Sequence, residues 1–351
     1  MTAAIFRAQN VSSAILALAL VLCNARTAPC QSEKDGDSKG RDSAKGFCIR
    51  GQAFVEKEEY RKAIPDLTEA IRLDPKMANA YYYRALAYVG TREFAKAIAD
   101  WNEVIKLEPK NAVAYVCRGS AILDDQGAPD SALADYNRAI VLDPKLGSAH
   151  YGRGNLHFAR GQFDKAIVDY NQAAKLEPAN AHPYVGRAMA YFRKGDFVRA
   201  IQDASEAIRI DPKTAEGFCV RGQAYEEKHE YGNALPDLTY AIRLDPKIAD
   251  AYYYRALAYS GTREFAKAME DWNQVIKLEP KRALAYVCRG STILDKHGDP
   301  DSALADYNKA IDLDPKLGSA YYGRGCVYET MGDKLKAQQE FDRAKELGYA
   351  P

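Results

Sequence analysis

Neither sign of charge is in excess: 49 Lys and Arg stand against 48 Asp and Glu, a net charge of +1 over 351 residues. A chain that neutralises phosphates needs a basic surplus to displace their counterions. None exists in the total or as a run, so a nucleic-acid partner is disfavoured. Histidine is scarce, with 5 in the chain, and the 7 cysteines include no CxxC spacing. That excludes the usual sequence signs of a zinc site or a disulfide framework. Cys48 is duplicated at Cys219 and Cys117 at Cys288. Those partners lie too far apart along a repeat array for a disulfide, and small buried thiols are expected instead. His150, His157 and His182 fall in neighbouring segments, but no acid or Cys stands at ligand spacing, so no metal is expected. Gly152-Arg153-Gly154 resembles a fragment of a phosphate loop but lacks the preceding strand. No nucleophile, base and orienting group can be assembled, so neither an enzyme nor a cofactor is expected.

The first 25 residues differ in kind from the rest. Arg7 is their only charge, Val11 to Leu22 is apolar apart from Ser12 and Ser13, and Cys23-Asn24-Ala25 ends on a small residue. This reads as a secretory signal peptide over residues 1–25. The alternative is a retained anchor within residues 3–25, although the apolar stretch is short for a bilayer. Residues 31–43, QSEKDGDSKGRDS, contain nothing apolar to bury. Residues 26–43 are therefore expected to form a disordered linker, and the product to be exported, either periplasmic or secreted.

Beyond that point the hydrophobic fraction of 47% and charged fraction of 28% are those of a folded chain. Acidic–proline pairs punctuate it at Asp74-Pro75, Glu108-Pro109, Asp143-Pro144, Glu177-Pro178, Asp211-Pro212, Asp245-Pro246, Glu279-Pro280 and Asp314-Pro315. They recur every 34 or 35 residues, which is the mark of stacked supersecondary units. Nine repeats begin at Ala44, and each has two segments of helical apolar spacing, such as 78–89 and 94–107. Gly195-Asp196 predicts the turn between them, with Gly ending one helix and Asp capping the next. The proline stops the second helix.

The third repeat carries Tyr115, Gly119, Ala132, Tyr136, Ala139 and Pro144 in the order of the tetratricopeptide signature, and the chain resembles that family over residues 44–351. The resemblance implies an all-α, right-handed superhelical solenoid of helix–turn–helix repeats whose first helices line a concave surface. It also implies a protein or peptide partner. The family's binders of chaperone tails clamp a carboxylate with Lys, Asn and Arg. Here the matching places hold Cys48, Val116 and Val185, so that specialisation is not expected.

Two features go beyond the family pattern. The seventh place of every repeat is Arg, and an acid follows 16 or 17 residues later. The pairs are Arg50 and Asp66, Arg84 and Asp100, Arg118 and Asp135, Arg153 and Asp169, Arg187 and Asp203, Arg221 and Asp237, Arg255 and Asp271, Arg289 and Asp306, and Arg324 and Glu340. Opposite places of a helical hairpin suit a bidentate ion pair, so a ladder of structural pairs is expected to fix register. Residues 46–154 also align without gaps on 217–325, with 86 identities in 109 positions. At the inward fifth and ninth places the two copies agree at Cys48, Gln52, Tyr82, Leu86, Val116 and Ser120.

The stack is expected to close in repeat 9, where two otherwise apolar places become Gln338 and Lys345. The expected groove is mostly neutral: Tyr82, Leu86, Tyr151, Asn155, Phe158, Val185, Met189, Phe192, Tyr253, Leu257 and Tyr322. Rigid rings with one polar tip suit recognition. A non-catalytic binding scaffold is expected, or alternatively a substrate-recruiting or assembly subunit of an envelope enzyme complex.

Overall fold

The computed structural model describes residues 43–296 and 298–349. The expected signal segment lies outside them, as does the expected linker except for Ser43. That residue caps the first helix, its side chain accepting the amide of Gly46.

Among the described residues there are eighteen helices and no strand. They pair by repeat: α1 (Ala44–Glu56) with α2 (Tyr60–Leu73), α3 (Ala78–Gly90) with α4 (Phe94–Leu107), α5 (Ala112–Asp124) with α6 (Pro129–Leu142), α7 (Gly147–Ala159) with α8 (Phe163–Leu176), and α9 (His182–Arg193) with α10 (Phe197–Ile210). The series continues as α11 (Ala215–Glu227) with α12 (Tyr231–Leu244), α13 (Ala249–Gly261) with α14 (Phe265–Leu278), α15 (Ala283–Asp295) with α16 (Pro300–Leu313), and α17 (Gly318–Thr330) with α18 (Lys334–Glu346).

The chain divides into two compact units, Met1–Ala190 and Tyr191–Pro351, with the boundary inside α9. Within each unit a second helix packs on its own first helix and on the next repeat's first helix. First helices of successive repeats also meet, as α1 does with α3 and α11 with α13. They form one layer of each unit, and the second helices form the other.

Both punctuation points have local causes. In each DPK turn the Asp side chain accepts the amide two residues on: Asp74 from Lys76, Asp143 from Lys145, Asp211 from Lys213, Asp245 from Lys247 and Asp314 from Lys316. Where Glu replaces Asp, the longer arm reaches a side chain three residues on, at Asn111, Asn180 or Arg282. The turn between paired helices needs one left-handed residue. Glycine supplies it at Gly161, Gly195 and Gly332, but Glu58, Arg92, Gln126, His229 and Arg263 occupy the same place with φ of 58–63°.

Between repeats the core is a series of fitted pairs. The large residue of one second helix meets the sixth residue of the next first helix. A Cβ on Gly152 would lie 2.7 Å from the Tyr136 ring, one on Gly186 would lie 2.7 Å from Tyr170, and one on Gly323 would overlap Tyr307. Trp101 shares its cluster with Cys117, Trp272 with Cys288, and Leu67 with Tyr83. The Gly152-Arg153-Gly154 run is thus explained by ring packing, since a Cβ on Gly154 would lie 2.9 Å from the Tyr170 ring. In repeat 9, Gln338 and Lys345 are exposed.

Candidate functional site

The seventh-place arginines lie at the junction of own-repeat and neighbour-repeat contacts. Arg84 donates from Nε and Nη2 to Asp100 at 2.8 and 2.7 Å. Its third arm, Nη1, reaches back to Thr68 Oγ1 of the preceding repeat at 3.2 Å. The fork recurs at Arg118, Arg153, Arg221, Arg255 and Arg289, each holding the acid named above. The backward arm finds Asn102, Asn137, Asn171, Ser205, Thr239, Asn273 and Asn308 in successive repeats. Each acceptor stands two residues after the acid, so Asp-x-[Asn/Ser/Thr] was a visible signal that the sequence reading passed over. At Arg324 the longer Glu340 takes both bonds from Nη2, at 2.7 and 2.9 Å. Arg187 and Asp203 stand on opposite sides of the unit boundary.

An aromatic ring three residues before each arginine, from Phe47 to Tyr321, lies 5.0–5.8 Å from the guanidinium in every repeat but the fourth. There His150 stands instead, 3.5 Å from Asp169, and His157 lies 3.8 Å from the same carboxylate. Burial pushes the Asp100 and Asp271 carboxyls up despite their arginine partners. Burial also pulls Asp169 upward, but His150 and Arg153 outweigh it and hold that carboxyl below its usual range. Among the described residues no three His, Cys, Asp or Glu side chains converge to hold a metal.

The first-helix faces differ from the expected groove. Tyr82 and Leu86 offer a partner no surface: they are 2% and 1% exposed, and the Tyr82 ring meets Trp101 edge-on at 4.8 Å. Val185 and Asn155 are also buried, and Asn155 accepts the Tyr170 hydroxyl at 2.8 Å. Phe158 is buried as well, and these five residues belong to the packing of the N-terminal unit. Tyr151 and Met189 of the same unit are half-buried. In the C-terminal unit Phe192, Tyr253, Leu257 and Tyr322 are half-buried too.

Sequence reasoning missed the charged part of the C-terminal face. Arg282 Nη1 donates to Asp250 at 2.6 Å, and the guanidinium lies 4.0 Å from the Tyr253 ring centre. The Tyr253 hydroxyl is 3.7 Å from Cys288 Sγ. On α11, Cys219, Gln223 and Glu226 fall on one helical face. Burial first, and the Glu227 charge second, push the Glu226 carboxyl up to about 7. A signal did exist: the first copy has Val55, Asn79 and Asn111 where the second has Glu226, Asp250 and Arg282. An open depression of about 290 Å³ on the second-helix side is lined by Leu235, Pro236, Thr239, Tyr240 and Arg243, with no carboxylate, histidine or cysteine among them.

Stacked helical hairpins fixed in register by repeated side-chain pairs define a helical-repeat interaction scaffold. The TPR repeat model matches residues 122–159, 154–195 and 296–332, and further tetratricopeptide repeat models match 50–112, 181–214, 249–282 and 318–347. The chain belongs to the tetratricopeptide-repeat family.

Solved structures agree on the fold. A chain of the Cut9–Hcn1 hetero-tetramer of the APC/C is 17% identical with a TM-score of 0.62, over 88% of this chain and 57% of that one. A tetratricopeptide repeat protein from Parabacteroides merdae is 20% identical with a TM-score of 0.53, over 76% of this chain and 98% of its own. Yeast Tom70 is 20% identical with a TM-score of 0.50, over 95% and 69%. No curated protein matches the chain. The fold is one that serves protein–protein interaction, and its relatives are typically non-catalytic scaffolds.

Proposed function

We propose that this chain is an exported, non-catalytic scaffold that holds an extended peptide or a partner's helix against its first helices. The observation that carries the reading is the set of half-buried apolar side chains on those helices: Tyr151 and Met189 in one unit, and Phe192, Tyr253, Leu257 and Tyr322 in the other. Such side chains are already partly ordered, so contact adds apolar burial at little further entropic cost. The composition of residues 1–25 supports export, and N-terminal sequencing of natively expressed protein tests it. A mature start near Arg26 is expected, and recovery of Met1 from a cytosolic fraction would overturn export.

The binding face is tested by affinity capture followed by substitution. Tyr151→Ser and Met189→Ser should each weaken capture of the recovered partner by about tenfold, at about 1–3 kcal/mol per desolvated anchor. Charge reversal on exposed positions of the second helices should leave capture unchanged. The opposite pattern would place recognition on the outer layer and defeat the reading.

A further inference from the structure

The internal duplication makes the C-terminal unit its own control. Over 46–154 and 217–325 the two copies keep most of their rings, yet the second acquires charge on its first-helix layer. Val55 becomes Glu226, Asn79 becomes Asp250 and Asn111 becomes Arg282, while Val89 becomes Ser260. Two of the new charges cancel one another. Arg282 is held by Asp250 at 2.6 Å and by Glu279 at 3.1 Å, and both Asp250 and Arg282 are largely withdrawn from water. Glu226 is left over. It is half-buried, and among the described residues no hydrogen bond or ion pair engages its carboxylate.

A ring pair lies on the first helices of the same unit. Phe192 and Tyr254 come from the repeats on either side of repeat 6, and their rings meet edge-on at 5.9 Å. Phe192 occupies the twelfth place of its repeat, as Glu226 does in the next. The charge of Glu226 reaches Cys288 on the first helix of repeat 8, and that of the exposed Glu227 reaches Tyr254 on the first helix of repeat 7. A half-buried carboxylate with no cation of its own is complementary to a positive side chain, which would supply the missing ion pair.

The geometry points to a basic-residue subsite: Glu226, on the α11 face it shares with Cys219 and Gln223, receives a lysine or arginine side chain of a peptide lying on the first helices of the C-terminal unit. The inference rests on the scaffold reading above and names the chemistry of its partner. The N-terminal unit, with Val55 at the equivalent place, lacks the subsite. An apolar or acidic side chain would leave the carboxylate desolvated and uncompensated, which is the source of the selectivity.

The test uses the full chain and a phage-displayed library of random linear peptides. Recovered peptides should share a Lys or Arg at one position. Replacing that residue by norleucine in the synthetic peptide, or making Glu226→Gln or Glu226→Val in the protein, should weaken binding by about tenfold in fluorescence anisotropy. Thermal unfolding of the two variants should match or exceed the parent, which separates lost recognition from lost fold. Full affinity in Glu226→Gln, or recovery of peptides without a basic residue, overturns the subsite. If binding then proves sensitive to Tyr151→Ser or Met189→Ser, the scaffold reading survives alone. Failure to recover any peptide on the parent chain counts against both.

Discussion

Each seventh-place arginine is a three-armed connector, and burial decides what its loss costs. The Arg84 and Asp100 side chains are 17% and 6% exposed, whereas Arg50, in the first repeat, is 47% exposed. Arg84→Ala leaves a buried carboxylate without its fork and should cost about 3 kcal/mol in urea unfolding. Arg50→Ala should cost under about 1 kcal/mol. Equal midpoint shifts for the two would show that the pairs are surface ornaments. Glu226 works the other way. Its folded pKa of about 7 lies above the ordinary 4.5, so the folded state holds the proton more tightly. Stability from this group is intact below pH 4.5 and is lost as pH rises through 7. Glu226→Gln removes that loss. The variant and parent should coincide at pH 4, and the variant should gain on the order of 1 kcal/mol at pH 8, discounted for the water that reaches the carboxylate. A gain of the same size at both pH values would place its origin elsewhere.

At the scale of the helix and its turns, the sequence was largely legible. The acidic–proline spacing located every repeat, because proline acts locally through its missing amide. The turn between paired helices was legible only where glycine stands. At Arg92 and Arg263 the left-handed backbone leaves no composition signal, since the cost is met by the packing of two long helices. Relieving it should be measurable. Arg92→Gly should stabilise the chain by about 0.5–1 kcal/mol, while Arg92→Ala should not, because only glycine removes the steric cost of positive φ. Matching midpoints for the two variants would mean the turn stores no strain. Side-chain exposure was the least legible property. Tyr82 and Tyr151 occupy the same place of their repeats, yet one is buried and the other half-buried. Helical periodicity reports the face of a residue and not the depth to which its neighbours cover it. The Glu226 subsite went unread for a related reason: agreement between the copies was weighed, and their disagreement was not.

Over the whole molecule, the period gave stacked units and the resemblance to the tetratricopeptide signature implied the fold class, while the sites depend on contacts between repeats that no single repeat encodes. The fitted pairs show this most directly. Leu67 shares a cluster with Tyr83 and Trp101 with Cys117, while Tyr136 packs against Gly152 and Tyr170 against Gly186. Every junction is thus a lock cut for one key, and the repeats are not interchangeable beads. The array can be edited only where two locks share a shape. Deleting residues 147–180 brings Tyr136 against Gly186, a tyrosine again meeting glycine, and the shortened chain should unfold cooperatively near the parent midpoint. Deleting residues 78–111 brings Leu67 against Cys117, where neither a tyrosine nor a tryptophan fills the gap. The missing ring should cost about 3–5 kcal/mol, as large core truncations do, and lower the thermal midpoint accordingly. Both deletions remove one whole repeat, so equal midpoints would refute the idea of keyed junctions. The same logic bears on how the chain grew. A lone repeat inserted elsewhere meets a foreign junction, whereas a block carries its own matched interior with it. A duplication of several repeats at once, offset by 171 residues, is the kind of lengthening that such junctions tolerate.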